Sequence, residues 1–105
     1  MTIDLVTLRR ELHRIPEVGL QLPETQAAVL RALDGLPLEI TLGRTVTSVV
    51  GVLRGGRATE GKRPVVLLRE DMDALPVEEL TGLDYAATNG NMHACGHDLH
   101  MSMLI

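Results

Sequence analysis

From Asp4 to Ile15 the apolar residues Leu5, Leu8, Leu12 and Ile15 recur at helical spacing, with Arg9, Arg10, Glu11 and Arg14 largely opposite. That pattern predicts an amphipathic helix, begun near Thr2 or Asp4 and stopped by Pro16. A second helix is expected from about Pro23 to Leu33: Pro23 suits a first helical turn, Glu24 favours its positive end, and Gly35 with Pro37 stops it. The period then shortens. Leu38-Glu39-Ile40-Thr41-Leu42 alternates as a half-exposed strand does, and Val46 to Leu53 is β-branched and apolar, a second strand closed by Gly55-Gly56. Arg57 to Arg63 reads as a hairpin-like loop. Val65-Val66-Leu67-Leu68 is a continuous apolar run, as expected of a strand buried on both faces. Glu78 to Asn91 carries turn residues and no sustained period, so it is mostly loop; His97 to Ile105 opens a third helix.

The order helix, helix, three strands, long loop, helix predicts an α/β fold. The last helix shows no stop signal before Met-Leu-Ile, so its apolar face is expected to need packing partners beyond these residues. At 105 residues the chain holds one domain at most. With one Tyr and no Phe or Trp, its core must be aliphatic, and stacking platforms for single-stranded nucleic acid are missing. A formal net charge of -4 argues against phosphate-backbone binding. No apolar run approaches the roughly 20 residues of a membrane span. One cysteine excludes an internal disulfide. The start, Met1-Thr2-Ile3-Asp4, has no basic stretch leading into an apolar one, and with a free thiol this predicts a cytoplasmic location.

Candidate chemistry concentrates in Met92-His93-Ala94-Cys95-Gly96-His97-Asp98-Leu99-His100, which holds the only cysteine and three of the four histidines. Thiolate and imidazole both bind zinc, and imidazole also serves manganese, cobalt and nickel. Cys95 and His97 are the candidate metal ligands. Gly96 allows a sharp turn between them, and Asp98 is either a ligand or the partner of a histidine ring N–H. His100 shares a helical face with His97. A single cysteine is more often a small core residue; it is the clustering that tips the reading toward metal.

A second group, Arg69-Glu70-Asp71-Met72-Asp73-Ala74-Leu75-Pro76, follows the predicted buried strand, at the edge where open α/β sheets place ligands. Strand periodicity sets Asp71 and Asp73 on one side and Met72 on the other. Its bland reading is a solvated acidic turn with Arg69 as counter-charge. His13, in the last turn of the first helix, reads as structural, favoured by the helix dipole. Glu78-Glu79 reads as solvated, and Gly55-Gly56 as a turn rather than a phosphate cradle.

Together, Leu8-Arg9-Arg10-Glu11-Leu12-His13-Arg14-Ile15-Pro16-Glu17, Leu68 to Pro76 and Met92 to Asp98 resemble the metal-dependent N-acyl amino acid amidohydrolases and carboxypeptidases, the group of hippurate hydrolase, N-acetyldiaminopimelate deacetylase and the auxin-conjugate hydrolases. Glu70, Leu99 and Thr47-Ser48 depart mildly from the family pattern, at positions that ligate no metal. The resemblance implies a zinc-peptidase-like catalytic domain, of which residues 1–105 would be the N-terminal portion, without the remainder and the dimerisation domain. It further implies a centre of two divalent metal ions, zinc or manganese, with Cys95 and His97 among the ligands. Asp73 would have a catalytic role, orienting a metal-bound histidine. The remaining ligands and a glutamate general base would lie downstream, so the chain alone would be inactive. The implied substrate is a small N-acyl amino acid or short peptide, with no nucleic acid or membrane partner and a homodimeric full-length protein. Two other readings stand beside it. One uses Cys95 as a thiol nucleophile with His97 or His100 as base. The other is a small non-catalytic metal-binding module built on the 92–100 cluster.

Overall fold

The computed structural model describes residues 2–57, 61 and 63–105. Its elements run α1 (Leu5–Arg14), α2 (Pro23–Leu33), β1 (Leu38–Leu42), β2 (Val49–Leu53) and α3 (His97–Leu104). Helix α1 begins where the chain offers a cap: the Asp4 carboxylate accepts the Val6 and Thr7 amides at 3.1 and 3.4 Å and the Thr7 hydroxyl at 2.6 Å. Helix α2 has Pro23 at its start but no side-chain cap from Leu22. Its free amides turn instead to Glu17, whose carboxylate accepts from Thr25 at 2.7 Å and Glu24 at 3.3 Å. This carboxylate, seven residues ahead of Glu24, satisfies orphan donors and complements the positive end of the dipole.

The core lies where α1 meets α2 and α3. Leu8 and Leu12 from α1, Ala28 and Val29 from α2 and Met101 from α3 are buried together, with Ile3, Ile15, Ala32, Leu33, Val49, Met72 and Ile105 packed at the margin. The aliphatic core expected from composition is the core observed. Met72 packs against this core while residues 71–73 form no strand, so its inward face does not rest on strand alternation.

Strands β1 and β2 pair antiparallel, Leu38 opposite Leu53 through Leu42 opposite Val49. The second strand starts at Val49 rather than Val46, because residues 46–48 make other bonds. The Ser48 carbonyl accepts the Gly43 amide at 3.1 Å, closing the turn. The Thr47 hydroxyl accepts the Leu22 amide at 2.7 Å and donates to the Leu20 carbonyl at 3.2 Å. Gly43 is required there, since a Cβ would collide with the Val46 carbonyl and the Ser48 hydroxyl.

The expected third strand does not form. Val65, Val66, Leu67 and Leu68 are each at least 69% exposed, and among the described residues the sheet has two strands. The residues have strand character, but a buried strand needs neighbours on both edges and cover on both faces, which nothing among the described residues supplies. Part of the expected hairpin-like loop, residues 58–60 and 62, lies outside the described residues. The fold class is α/β as expected, with two strands in place of three. The 78–91 stretch is loop, also as expected, and an isolated antiparallel bridge between Leu75 and Met92, with reciprocal amide–carbonyl bonds of 2.9 Å, ties its two ends together.

Candidate metal centre

The Leu75–Met92 bridge brings the acidic segment beside the cysteine–histidine cluster. Ala74, one residue before it, is buried and donates its amide to the Glu17 carbonyl at 2.7 Å, so the acidic segment is anchored to the end of α1. On the other strand of the bridge, the chain leaves Met92, passes the buried His93 and turns at Gly96 into α3. Gly96 has φ +93°, a left-handed conformation that side chains with a Cβ rarely adopt. It is the N-cap of α3 and the hinge between Cys95 and His97.

Cys95 is a free, exposed thiol. His97 is the first residue of α3 and half-buried; its Nδ1 donates to Asp73, with the carbonyl at 2.8 Å and Oδ1 at 3.1 Å. That contact fixes the ring and leaves Nε2 as the nitrogen open to a ligand, 3.9 Å from Asp71 Oδ2. A histidine whose other nitrogen is held by a carbonyl or carboxylate is the usual form of a metal-bound imidazole. Asp71 pairs with Arg69 at 2.8 Å, as the bland reading had it, and His100 pairs with Glu70 at 3.3 Å. The His97 and His100 rings stand 6.1 Å apart, on one face of the helix.

The residues fit a metal in kind. A thiolate and an oriented imidazole suit zinc, and both ring nitrogens of buried His93 lack a hydrogen-bond partner among the described residues. Burial, helped by the charges of His13 and His97 and opposed by Asp98 and Asp73, holds His93 below the ordinary histidine range and favours its uncharged, ligand-competent form. They do not suffice in number: among the described residues no three His, Cys, Asp or Glu side chains gather as an ion-binding group. Sites of this kind need at least three protein donors.

Asp98 is not among the donors that face outward. It is fully buried, and its Oδ2 accepts from His13 Nδ1 at 2.7 Å and lies 2.9 Å from Arg9 Nε. Of its two open sequence roles, partner of a histidine is the one observed, with His13 as that histidine. The reading of Glu79 as solvated is overturned: its side chain is fully buried, with Oε1 and Oε2 at 2.9 and 3.0 Å from His13 Nε2. It also accepts the Thr81 hydroxyl at 2.6 Å and the Ala87 amide at 2.8 Å. Burial disfavours this carboxylate's charge, yet the bonds from Thr81, Ala87 and His13, with the His13 charge, outweigh it and bring Glu79 down to about 2. Glu78 stays exposed. No local pattern marked Glu79: Thr81 is two residues away, but Ala87 and His13, which complete its surroundings, lie eight and 66 residues away.

Residues 67–105 match the model of Peptidase family M20/M25/M40. The chain is 42% identical over 104 residues to N-acetyldiaminopimelate deacetylase of Ligilactobacillus salivarius (strain UCC118), covering 97% of this chain and 26% of that protein. It is 40% identical over 103 residues to the enzyme of the same name from Lactococcus lactis subsp. cremoris (strain SK11), covering 98% and 27%. Among solved structures it resembles the YXEP protein of Bacillus subtilis, a dinuclear metal binding peptidase from the M20 family. That match has a TM-score of 0.80 at 38% identity and covers 93% of this chain and 27% of that one. The chain thus spans about a quarter of the length of the relatives it matches.

Proposed function

The chain belongs to peptidase family M20/M25/M40, and from that premise we propose that it forms the N-terminal portion of the catalytic domain of a hydrolase that cleaves the amide bond of N-acyl amino acids, in the manner of the N-acetyldiaminopimelate deacetylases it resembles. The observation that carries the proposal is the His97–Asp73 pair: Nδ1 is held at 2.8 Å by the carbonyl and 3.1 Å by the carboxylate, so Nε2 is offered outward. Cys95 and His97 are the metal ligands in this reading, and Asp73 is the residue that orients His97. The bound divalent ions, zinc or manganese, would supply Lewis acidity toward the amide carbonyl and the attacking water.

The chain's own residues provide orientation. Asp73 fixes the imidazole, Gly96 sets the separation of thiol and imidazole, and the Leu75–Met92 bridge holds the acidic segment against the ligand turn. Among the described residues Cys95 and His97 are the ligands this reading has, short of the three a site of this kind needs, so by itself the chain would not turn over substrate; Glu79, buried against His13, is unavailable for proton transfer. The small donor count gives the self-contained metal module no support. The thiol-nucleophile reading lacks its pairing: among the described residues the bonds of His97 and His100 run to Asp73 and Glu70, and none joins either ring to Cys95. Cytoplasmic location and homodimerisation belong to the same proposal; among the described residues no helix is long and apolar enough to cross a membrane.

The test is hydrolysis of N-acetylated amino acids by the protein expressed from its complete reading frame. Cys95→Ala and His97→Ala should each abolish chelator-sensitive turnover, and Asp73→Asn should weaken metal binding about 10–100-fold. Full activity in either alanine variant sinks the ligand assignment.

A further inference from the structure

Beneath the candidate metal turn lies a row of buried ionisable groups that the chemistry proposed above does not use. His13, at the end of α1, stands between two carboxylates, with Nδ1 2.7 Å from Asp98 Oδ2 and Nε2 2.9 Å from Glu79 Oε1. The three side chains are 3%, 0% and 0% exposed. Both ring nitrogens of His13 face carboxylate oxygens, so the ring bridges the two carboxylates. Arg9 is ion-paired to Asp98 at 2.9 Å on the same side. Tyr85, edge-on to His13 at 5.5 Å, and His93, 6.5 Å away, wall it in.

We infer that Glu79, His13 and Asp98 form a positioning relay that sets the path of the 93–98 turn and thereby the placement of Cys95 and His97. The geometry argues for it in several ways. The bonds join parts of the chain separated by 66 and 85 residues, namely the 78–91 loop, the end of α1 and the first turn of α3. Asp98 is the immediate neighbour of His97, and adjacent residues on a helix point about 100° apart. With Asp98 fixed inward on His13, His97 is turned outward onto Asp73. Buried ion groups also add little stability over apolar residues of similar size, whereas directional bonds admit one register where greasy contacts admit several. Glu79 is itself pinned by Thr81 and Ala87, so the far end of the relay does not slide. Helix α3, eight residues long with no side-chain cap at Gly96, has its first turn held by the bonds of His97 and Asp98 to other segments.

The consequence for the metal rests on the ligand reading proposed above; the effect on the turn does not. The test uses the protein from its complete reading frame, wild type against His13→Gln and Glu79→Gln, the second serving if the first fails to fold by circular dichroism. Two readouts are taken: Co2+ titration followed by the thiolate-to-cobalt charge-transfer band, and amide hydrogen exchange at residues 93–98. Co2+ binding weakened about tenfold or more with the band intact at saturation, together with faster exchange confined to the turn, is the expected result. Unchanged affinity and unchanged exchange in a folded variant overturn the relay. A wild-type protein without the band removes the Cys95 assignment and not the relay, which is then judged by exchange alone: faster exchange in the variant upholds it and equal exchange overturns it.

Discussion

Glu79 shows how far a side chain's surroundings can move it from the role its local sequence suggests. In isolation it is half of an acidic pair in a loop; in the fold it is buried and charged, held at about 2 against an ordinary value of 4.5. Its folded value lies below its unfolded one, so as pH falls the unfolded chain takes up the proton first. The stability it contributes is therefore complete above pH 4.5 and lost as pH falls toward 2. Urea unfolding across that window should show a steeper acid loss in the wild type than in Glu79→Gln. Parallel curves would mean that the carboxylate is not held as the geometry indicates. His13 changed meaning in the same way. Its helix-end position suits the dipole, but in the fold its ring is held between two carboxylates.

Among the elements, α2 illustrates a helix whose start is secured from outside itself. Leu22 has no cap to offer, and Glu17 accepts the amides of Glu24 and Thr25 across a turn. Because Glu17 also accepts Ala74 through its carbonyl, one residue ties α2 to the acidic segment that carries Asp73. Glu17→Ala removes the cap and leaves the Thr25 amide without this acceptor; loss of such a cap costs about 1 kcal/mol. Chemical denaturation should show an unfolding free energy lowered by that amount, while Glu24→Ala, which leaves Glu17 in place, should cost less. Equal losses would assign the effect to the dipole rather than to the cap. Strand β2 teaches a related lesson: it begins three residues later than its β-branched composition allows, because Thr47 is bonded to Leu20 and Leu22.

On the scale of the whole molecule, the helices enclose an aliphatic core while Val65 to Leu68 stand in solvent. An exposed run of four large apolar residues with strand propensity is a template for pairing with another chain. The 105-residue chain should accordingly self-associate with concentration, and Val66→Lys with Leu68→Lys should suppress this in sedimentation velocity without altering the helical circular dichroism. Association that persists unchanged in the double variant would place the sticky surface elsewhere. Within a longer polypeptide of the relatives' size, the same run has the composition of an interior strand.

The amino-acid sequence alone determined what depends on neighbours in the chain: the extents of α1 and α2, strand β1, the aliphatic make-up of the core, a sharp turn at Gly96 and the clustering of Cys95 with His97. Periodicity and caps act within a few residues, so a linear reading reaches them. Only the tertiary structure decided that Asp98 faces inward, that Glu79 and His13 form one buried ionic group, that Glu17 caps a helix other than its own, and that Val65–Leu68 stay unpaired. Each of those outcomes is set by partners brought close by folding, or by their absence among the described residues. Side-chain hydrogen bonds and sheet ladders form across such contacts, so a single residue's type cannot announce them.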